Sequence, residues 1–223
     1  MTLLEAIKQR HSVRSYTPQP IDNDKVAALN ALIEKLNEES GLHMQLVTDE
    51  PRAFGSFFTH YGAFSGVANY FALVGKRNDD KLSERVGYYG EKLVLEAQRM
   101  GLNTCWVALT YSKSRSRVVV NEDEKLVCVI SLGYGTTQGH GHRIKTINQV
   151  AKAAGEMPKW FVKGVEAALL APTAINQQQF RFTLIDDSHV KAEAKIGFYS
   201  KVDLGIVKLH FELGAAPHEF SWS

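Results

Sequence analysis

The stretch "YYGEKLVLEAQRMGLNTCW", from Tyr88 to Trp106, has a counterpart in "YSKVDLGIVKLHFELGAAPHEFSW", from Tyr199 to Trp222. Placing Gly101 on Gly214 brings Phe71 of "FALVG" near Phe182 of "FTLID", and Trp106 near Trp222. Upstream, a helix-patterned segment from Val26 leading into "HMQLV" resembles one from Val162 leading into "FRFTLI". Three matching elements in one order point to a duplicated strand-and-helix unit, the second shorter. The competing reading is that any two strand–helix units look this much alike. The stretch "AKAAGEMPKW", with Gly155 and Pro158, is the natural junction, dividing the chain into residues 1–150 and 151–223.

The elements between these landmarks alternate. Leu3, Leu4 and Ile7 recur at helical spacing, so Thr2 to Gln9 reads as a short amphipathic helix with Thr2 as its cap. Pro18 and Pro20 stop regular structure, and Asp22 or Asn23 can cap a helix from Lys25 to Asn37 that Gly41 ends. "HMQLV" alternates like a strand, and "YFALVG" reads as a buried central one. Ser83 to Met100 is the longest helix, and Gly101 closes it through a left-handed backbone angle. "NTCWVALTY" is an apolar loop or strand, and "LVCVISLGYG" a β-branched strand running into glycines. Alternating strands and helices predict α/β or α+β layering rather than an all-α or all-β fold.

Bulk properties remove several classes. A hydrophobic share of 44% with 22% charged residues describes a globular chain rather than a disordered one. Its net charge of +2 does not call for nucleic acid or an anionic membrane, so any anion site must be a local cluster. No stretch approaches the roughly 20 apolar residues of a membrane span. Only Cys105 and Cys128 are present, outside any C-x-x-C pattern, and the N-terminus lacks the apolar core of a signal peptide. Two reduced, buried thiols and a cytoplasmic location are expected.

Four segments could carry chemistry. "RHSVRSY" crowds Arg10, His11, Ser12 and Arg14 together. Guanidinium forks match phosphate oxygens bidentately, with the Ser12 hydroxyl between them, but a solvated basic turn has the same composition. "APTAINQQQF" sets Asn176, Gln177, Gln178 and Gln179 in a loop after the "VEAALL" helix. Their amides offer the donors and acceptors a heterocycle requires, or simply make a polar helix-to-strand loop. "GLNTCWVALTY" can lay backbone N–H groups against a flat ring or be a core strand burying Trp106. "GYGTTQGHGHRIK" delivers Arg143 and Lys145 from glycine-rich backbone without the Walker A or G-x-G-x-x-G spacing. Its histidines lack the carboxylate or cysteine partners of a metal site, and no hydrolase triad motif occurs.

Together these segments resemble the nitroreductase family of FMN flavoproteins. "RHSVRSY" is similar to that family's R-R-S-x-R-x-F/Y opening, and "APTAINQQQFRF" to its A-P-S-x-x-N-x-Q-P-W-R-F segment. "GLNTCWVA" resembles G-L-G-T-C-W-I-G, and "SLGYG" the late strand and turn. The order differs from the usual one, in which the A-P-S segment soon follows the arginine motif. The "VDLGIVKLHFEL" tail is similar to a branch with two nitroreductase-like halves in one chain. The resemblance implies an α+β layered fold, a mixed, mainly antiparallel sheet flanked by helices, duplicated into a pseudo-dimer, either monomeric or as a homodimer. It implies that Arg10, His11, Ser12 and Arg14 hold the FMN phosphate and ribityl end, with Arg143 or Lys145 as a second cation. Pro172, Thr173, Asn176 and Gln178 would approach the flavin, and Trp106, Val107, Ala108 and Leu109 would line its ring.

Departures from the pattern are His11 for the second arginine, Gln179 for the proline before the aromatic, and Ala108-Leu109 where the family has glycine. The implied activity is NAD(P)H-dependent, ping-pong reduction of a flat acceptor such as a nitroaromatic or quinone, without a catalytic side chain or a metal. A flavin-binding or flavin-free sensing or scaffold module is the alternative. A nucleic-acid module using "SKSRSR" lacks interleaved aromatics and a basic excess; that segment is a solvated connector or a partner for a 2′-phosphate.

Overall fold

The structure, a computed structural model, describes residues 1–54, 64–108 and 116–223. Its elements begin with α1 (Leu3–Gln9), α2 (Asn23–Ser40), β1 (Gln45–Val47), β2 (Asn69–Lys76), α3 (Leu82–Arg99), β3 (Asn103–Val107) and β4 (Glu124–Gly133). They continue with α4 (Ile147–Val150), β5 (Ala151–Lys152), α5 (Lys159–Leu169), β6 (Phe180–Asp186), β7 (His189–Ala194), α6 (Ser200–Ala215) and β8 (Ser221–Trp222). Two units emerge, and they are not sequential halves. The first takes residues 9–82 and 93–140; the second takes residues 1–8, 83–92 and 141–223. Helix α3 is one continuous helix whose residues 83–92 belong to the second unit and whose remainder belongs to the first.

In the first unit, four strands form a sheet in the order β1-β2-β4-β3, antiparallel at every pairing. The β2 run Tyr70 to Val74 is buried throughout, as expected of a strand covered on both faces. Around it, Val13, Tyr16, Val67, Tyr70, Ala72, Val107 and Val129 make one apolar cluster. Helix α2 ends where expected: Gly41 sits at φ 68° and its N–H donates to Asn37 O. Its start differs from expectation, since the Asp22 side chain makes no cap hydrogen bond. That carboxylate instead accepts from the Tyr134 hydroxyl at 2.8 Å and pairs with Lys25 at 3.2 Å. Thr2 does cap α1, exchanging hydrogen bonds with Glu5 in both directions.

The second unit has a mixed sheet, β5-β6-β7-β8, antiparallel only between β6 and β7. Phe180 and Phe182 are buried on one face of it, while Arg181 and Thr183 alternate with them and are half-buried. Glycines let its helices meet at backbone distance. A Cβ on Gly205 of α6 would lie 1.9 Å from Glu84 O of α3, and one on Gly87 would lie 2.0 Å from Val202 O. Between the helices His210 is fully buried and uses both ring nitrogens, Nε2 at 2.9 Å from Glu91 Oε1 and Nδ1 at 3.1 Å from Ala167 O.

Chain order is α-β-β-α-β in both units, as α2-β1-β2-α3-β3 and α5-β6-β7-α6-β8. That order makes β6 the counterpart of β1, as "HMQLV" and "FRFTLI" suggest, but pairs β2 with β7 rather than with "FTLID". The connections explain the slip: β6 and β7 join through a tight turn at Asp187 and Ser188, whereas residues 48–68 separate β1 from β2. Among the described residues, no helix is long and apolar enough to cross a membrane.

Candidate functional site

The expected site residues fall into two clusters, one in each unit. In the first, "RHSVRSY" is threaded beside the start of β3. Val13 N donates to Thr104 O at 3.0 Å, Ser12 bridges Thr104 in parallel, and Tyr16 bridges Gly135. Val13 and Tyr16 turn into the core, where the Tyr16 hydroxyl donates to Val13 O at 2.7 Å and lies 2.7 Å from Ser131 Oγ. This anchoring leaves Arg14 exposed and His11 and Ser12 half-buried, while Arg10 is only 3% exposed.

Both guanidinium groups and the Ser12 hydroxyl act on one thiol. Burial raises the Cys105 pKa above its ordinary value, while the charge of Arg14, a hydrogen bond from Ser12 and the charge of Arg10 pull it back. Opposite lies the turn after β4. Gly139 has φ +74°, and a Cβ there would stand 2.8 Å from His11 Cβ and 3.1 Å from Ser12 O. Only glycine permits that approach. Asn103 holds the turn, its Oδ1 accepting from Gly135 N at 2.9 Å and its Nδ2 donating to Gln138 Oε1 at 3.0 Å. Two guanidinium groups, a hydroxyl and a glycine-cleared turn make a donor-rich set suited to a phosphate. Trp106 and Ala108 are half-buried and Val107 is buried at the end of β3; Leu109 lies outside the described residues.

In the second unit Arg143, Lys145, Pro172, Thr173, Asn176 and Gln178 gather around one loop. Its amides mostly serve the loop itself. Gln178 is buried, with its Nε2 donating to Arg143 O at 2.8 Å and its Oε1 accepting from Lys145 N at 2.9 Å. Asn176 Nδ2 also donates to Arg143 O, at 2.9 Å. Lys145 Nζ donates to Gln177 O and Gln178 O at 2.8 and 2.9 Å, and Thr173 Oγ1 accepts from Gln178 N at 3.1 Å. The Arg143 side chain is exposed.

Other segments resolve differently. Of "SKSRSR", residues 112–115 lie outside the described residues, and Arg117 is a staple. Its guanidinium donates to Glu50 Oε1 at 3.0 Å and to the Thr48 and Asp49 carbonyls at 2.8 Å each. Among the described residues no cluster of His, Cys, Asp or Glu could hold a metal ion, and both cysteines are buried. Two clefts, of about 600 and 630 Å³, lie by Glu212 and His218 and by Asn37 and His43; none of the expected residues lines either. Sequence reasoning missed Asn103, Gly139 and Asp203. Asp203, the acid in the first turn of α6 amid apolar neighbours, was the one signal within reach.

The family model described as "Putative TM nitroreductase" matches residues 2–215. The chain belongs to this nitroreductase family. Its fold is similar to the crystal structure of a nitroreductase from Thermotoga maritima, with a TM-score of 0.67 and 23% identity over 96% of this chain and 83% of that one. A nitroreductase in complex with FMN, from Desulfovibrio desulfuricans, matches with a TM-score of 0.51 and 19% identity over 71% of this chain and 99% of that one. An NADH dehydrogenase/NAD(P)H nitroreductase from Bacteroides thetaiotaomicron gives 0.51 and 18% over 66% of this chain and 95% of that one. No curated protein matches. The mixed α+β nitroreductase fold, with an antiparallel sheet and helices, is thus the one the motifs implied.

Proposed function

We propose that this nitroreductase-family chain is an FMN-dependent NAD(P)H oxidoreductase. The observation that carries the reading is the threading of the Arg10–Arg14 segment beside β3, where Val13 N donates to Thr104 O, with Gly139 closing on it where a Cβ would collide with His11. The chemistry FMN supplies when bound is hydride exchange between a reduced nicotinamide and a flat acceptor such as a nitroaromatic or quinone.

The chain's own residues bind and orient. Arg10 and Arg14 neutralise the phosphate, and the Ser12 hydroxyl donates to it. Trp106 to Ala108 offer an apolar strand end against which a planar ring excludes water. In the second unit the 172–178 loop is prefolded by its own hydrogen bonds, and Arg143 is exposed. No side chain need exchange a proton with the acceptor for this chemistry. The shared α-β-β-α-β order supports the reading that one chain carries two nitroreductase-like halves.

The visible spectrum of the purified protein is the test, followed by added NADH or NADPH. Flavin absorbance that bleaches with the nicotinamide, together with Arg14→Ala losing most of its flavin, is expected. A colourless protein that ignores added FMN would refute the reading in favour of a flavin-free module.

A further inference from the structure

The loop between α5 and β6 follows a path its residues resist. Ile175, Asn176 and Gln178 take φ values of 47°, 55° and 48°. The left-handed region is costly for any side chain and worst for a β-branched one such as Ile175. Ile175 gains no burial in exchange, being 85% exposed at the loop's tip. Such strain persists only where surrounding contacts over-determine it, and it concentrates at ligand-binding sites.

Beside its bonds to Arg143 and Lys145, the loop is also held from α6. Asp203 lies in the helix's first turn and is only 2% exposed. Its Oδ1 accepts from Ala174 N at 3.0 Å, and its Oδ2 accepts from Gln177 Nε2 at 2.9 Å. Gln177 Nε2 also reaches Phe198 O at 2.5 Å, and Gly197 leaves space for it, since a Cβ there would stand 2.5 Å from Gln177 Oε1. Packing alone would favour an apolar residue at this position, within "VDLGIV". Burial raises the Asp203 carboxyl pKa to about 6, so near neutral pH the loop's two donors face an anion.

We infer that Asp203 is a positioning residue: its carboxylate holds the 173–178 loop in its left-handed path, so that the loop offers FMN a prefolded surface. This role rests on the flavin reading above. Asp203→Asn is nearly isosteric, but it turns an NH₂ group toward Gln177 Nε2, setting donor against donor. Gln177→Ala removes the same link from the loop side and leaves α6 intact.

The experiment measures hydrogen exchange in the peptide spanning residues 171–180, FMN affinity by flavin fluorescence, and the melting temperature. In both variants the loop amides should exchange about tenfold faster or more, and the FMN Kd should rise by a similar factor. Adding Ile175→Gly to Asp203→Asn removes the left-handed penalty and should bring both readouts back to within about threefold of wild type. A purely helical role for Asp203 would not be rescued from the loop tip. Wild-type exchange and affinity in the variants, or loosening that Ile175→Gly leaves uncorrected, would overturn the role alone. Failure of the wild-type chain to take up FMN overturns the flavin reading and this role with it.

Discussion

Replacing Gly205 with alanine sets two effects of known size against each other. Alanine is the better helix former, by about 1 kcal/mol in a helix interior. Against that, the new Cβ would sit 1.9 Å from Glu84 O and 2.6 Å from Tyr88 N, where ordinary contacts lie at 3.4–4 Å. The obstacles are backbone atoms of α3, so no side chain can rotate away, and the two helices must separate by about 1.5 Å at the crossing. Gly87 makes the reciprocal contact, at 2.0 Å from Val202 O and 3.1 Å from Ile206 N, so the loss of packing extends on both sides of the substituted residue. Overpacking of this kind costs about 1–3 kcal/mol and more when backbone must move. The clash therefore outweighs the propensity gain, leaving a net loss of about 2 kcal/mol. For a chain of this size that lowers the melting temperature by about 4–8 °C. Thermal unfolding followed by circular dichroism reads it, with Gly155→Ala, whose Cβ would meet nothing within 4 Å, as the control. A Gly205→Ala protein as stable as the control would refute the backbone-to-backbone crossing.

Gly139→Ala places a Cβ at φ +74° and 2.8 Å from His11 Cβ, so it should cost about 1–2 kcal/mol of stability and weaken FMN binding about tenfold; a fluorescence titration with unchanged Kd would contradict the cradle. The Asp203 carboxyl moves from 3.8 unfolded to about 6 folded, so its linkage favours the folded state most at low pH. That contribution, about 3 kcal/mol, is complete below about pH 3.8 and lost as pH rises through about 6, so the urea midpoint should carry a falling component over that window that Asp203→Asn lacks. Parallel profiles for the two proteins would count against the burial of this charge. Cys105 and Cys128 are buried, and burial raises the Cys105 thiol pKa, so Ellman's reagent should react slowly until denaturant is added; rapid labelling of the native protein would be the contrary result.

Most of the elements were legible because they follow from local rules. Leu29, Ile33 and Leu36 line one face of α2, and Gly41 and Gly101 stop their helices with φ values of 68° and 76°. The apolar run of β2 has no period that a surface strand would show. Tertiary competition overrode local rules at Asp22, whose cap position is set but whose carboxylate found stronger partners in Tyr134 and Lys25. The amides of Asn176 and Gln178 carry the same lesson. Composition shows that a loop is rich in donors and acceptors, but not that Arg143 O and Lys145 N, more than thirty residues away, will take them up.

By itself, then, the order of residues determined the helices, the strands, the turn glycines and a basic cluster at Arg10 to Arg14, since each depends on neighbours a few positions apart. Only the tertiary structure decided what that cluster faces, with Gly139 brought against His11 and Ser12 and with Val13 bonded to Thr104 of β3. It also decided that α3 would serve two units and that Asp203 would reach across to Ala174 and Gln177. Contacts of that range depend on which surfaces exclude water together, and no window along the chain contains both partners.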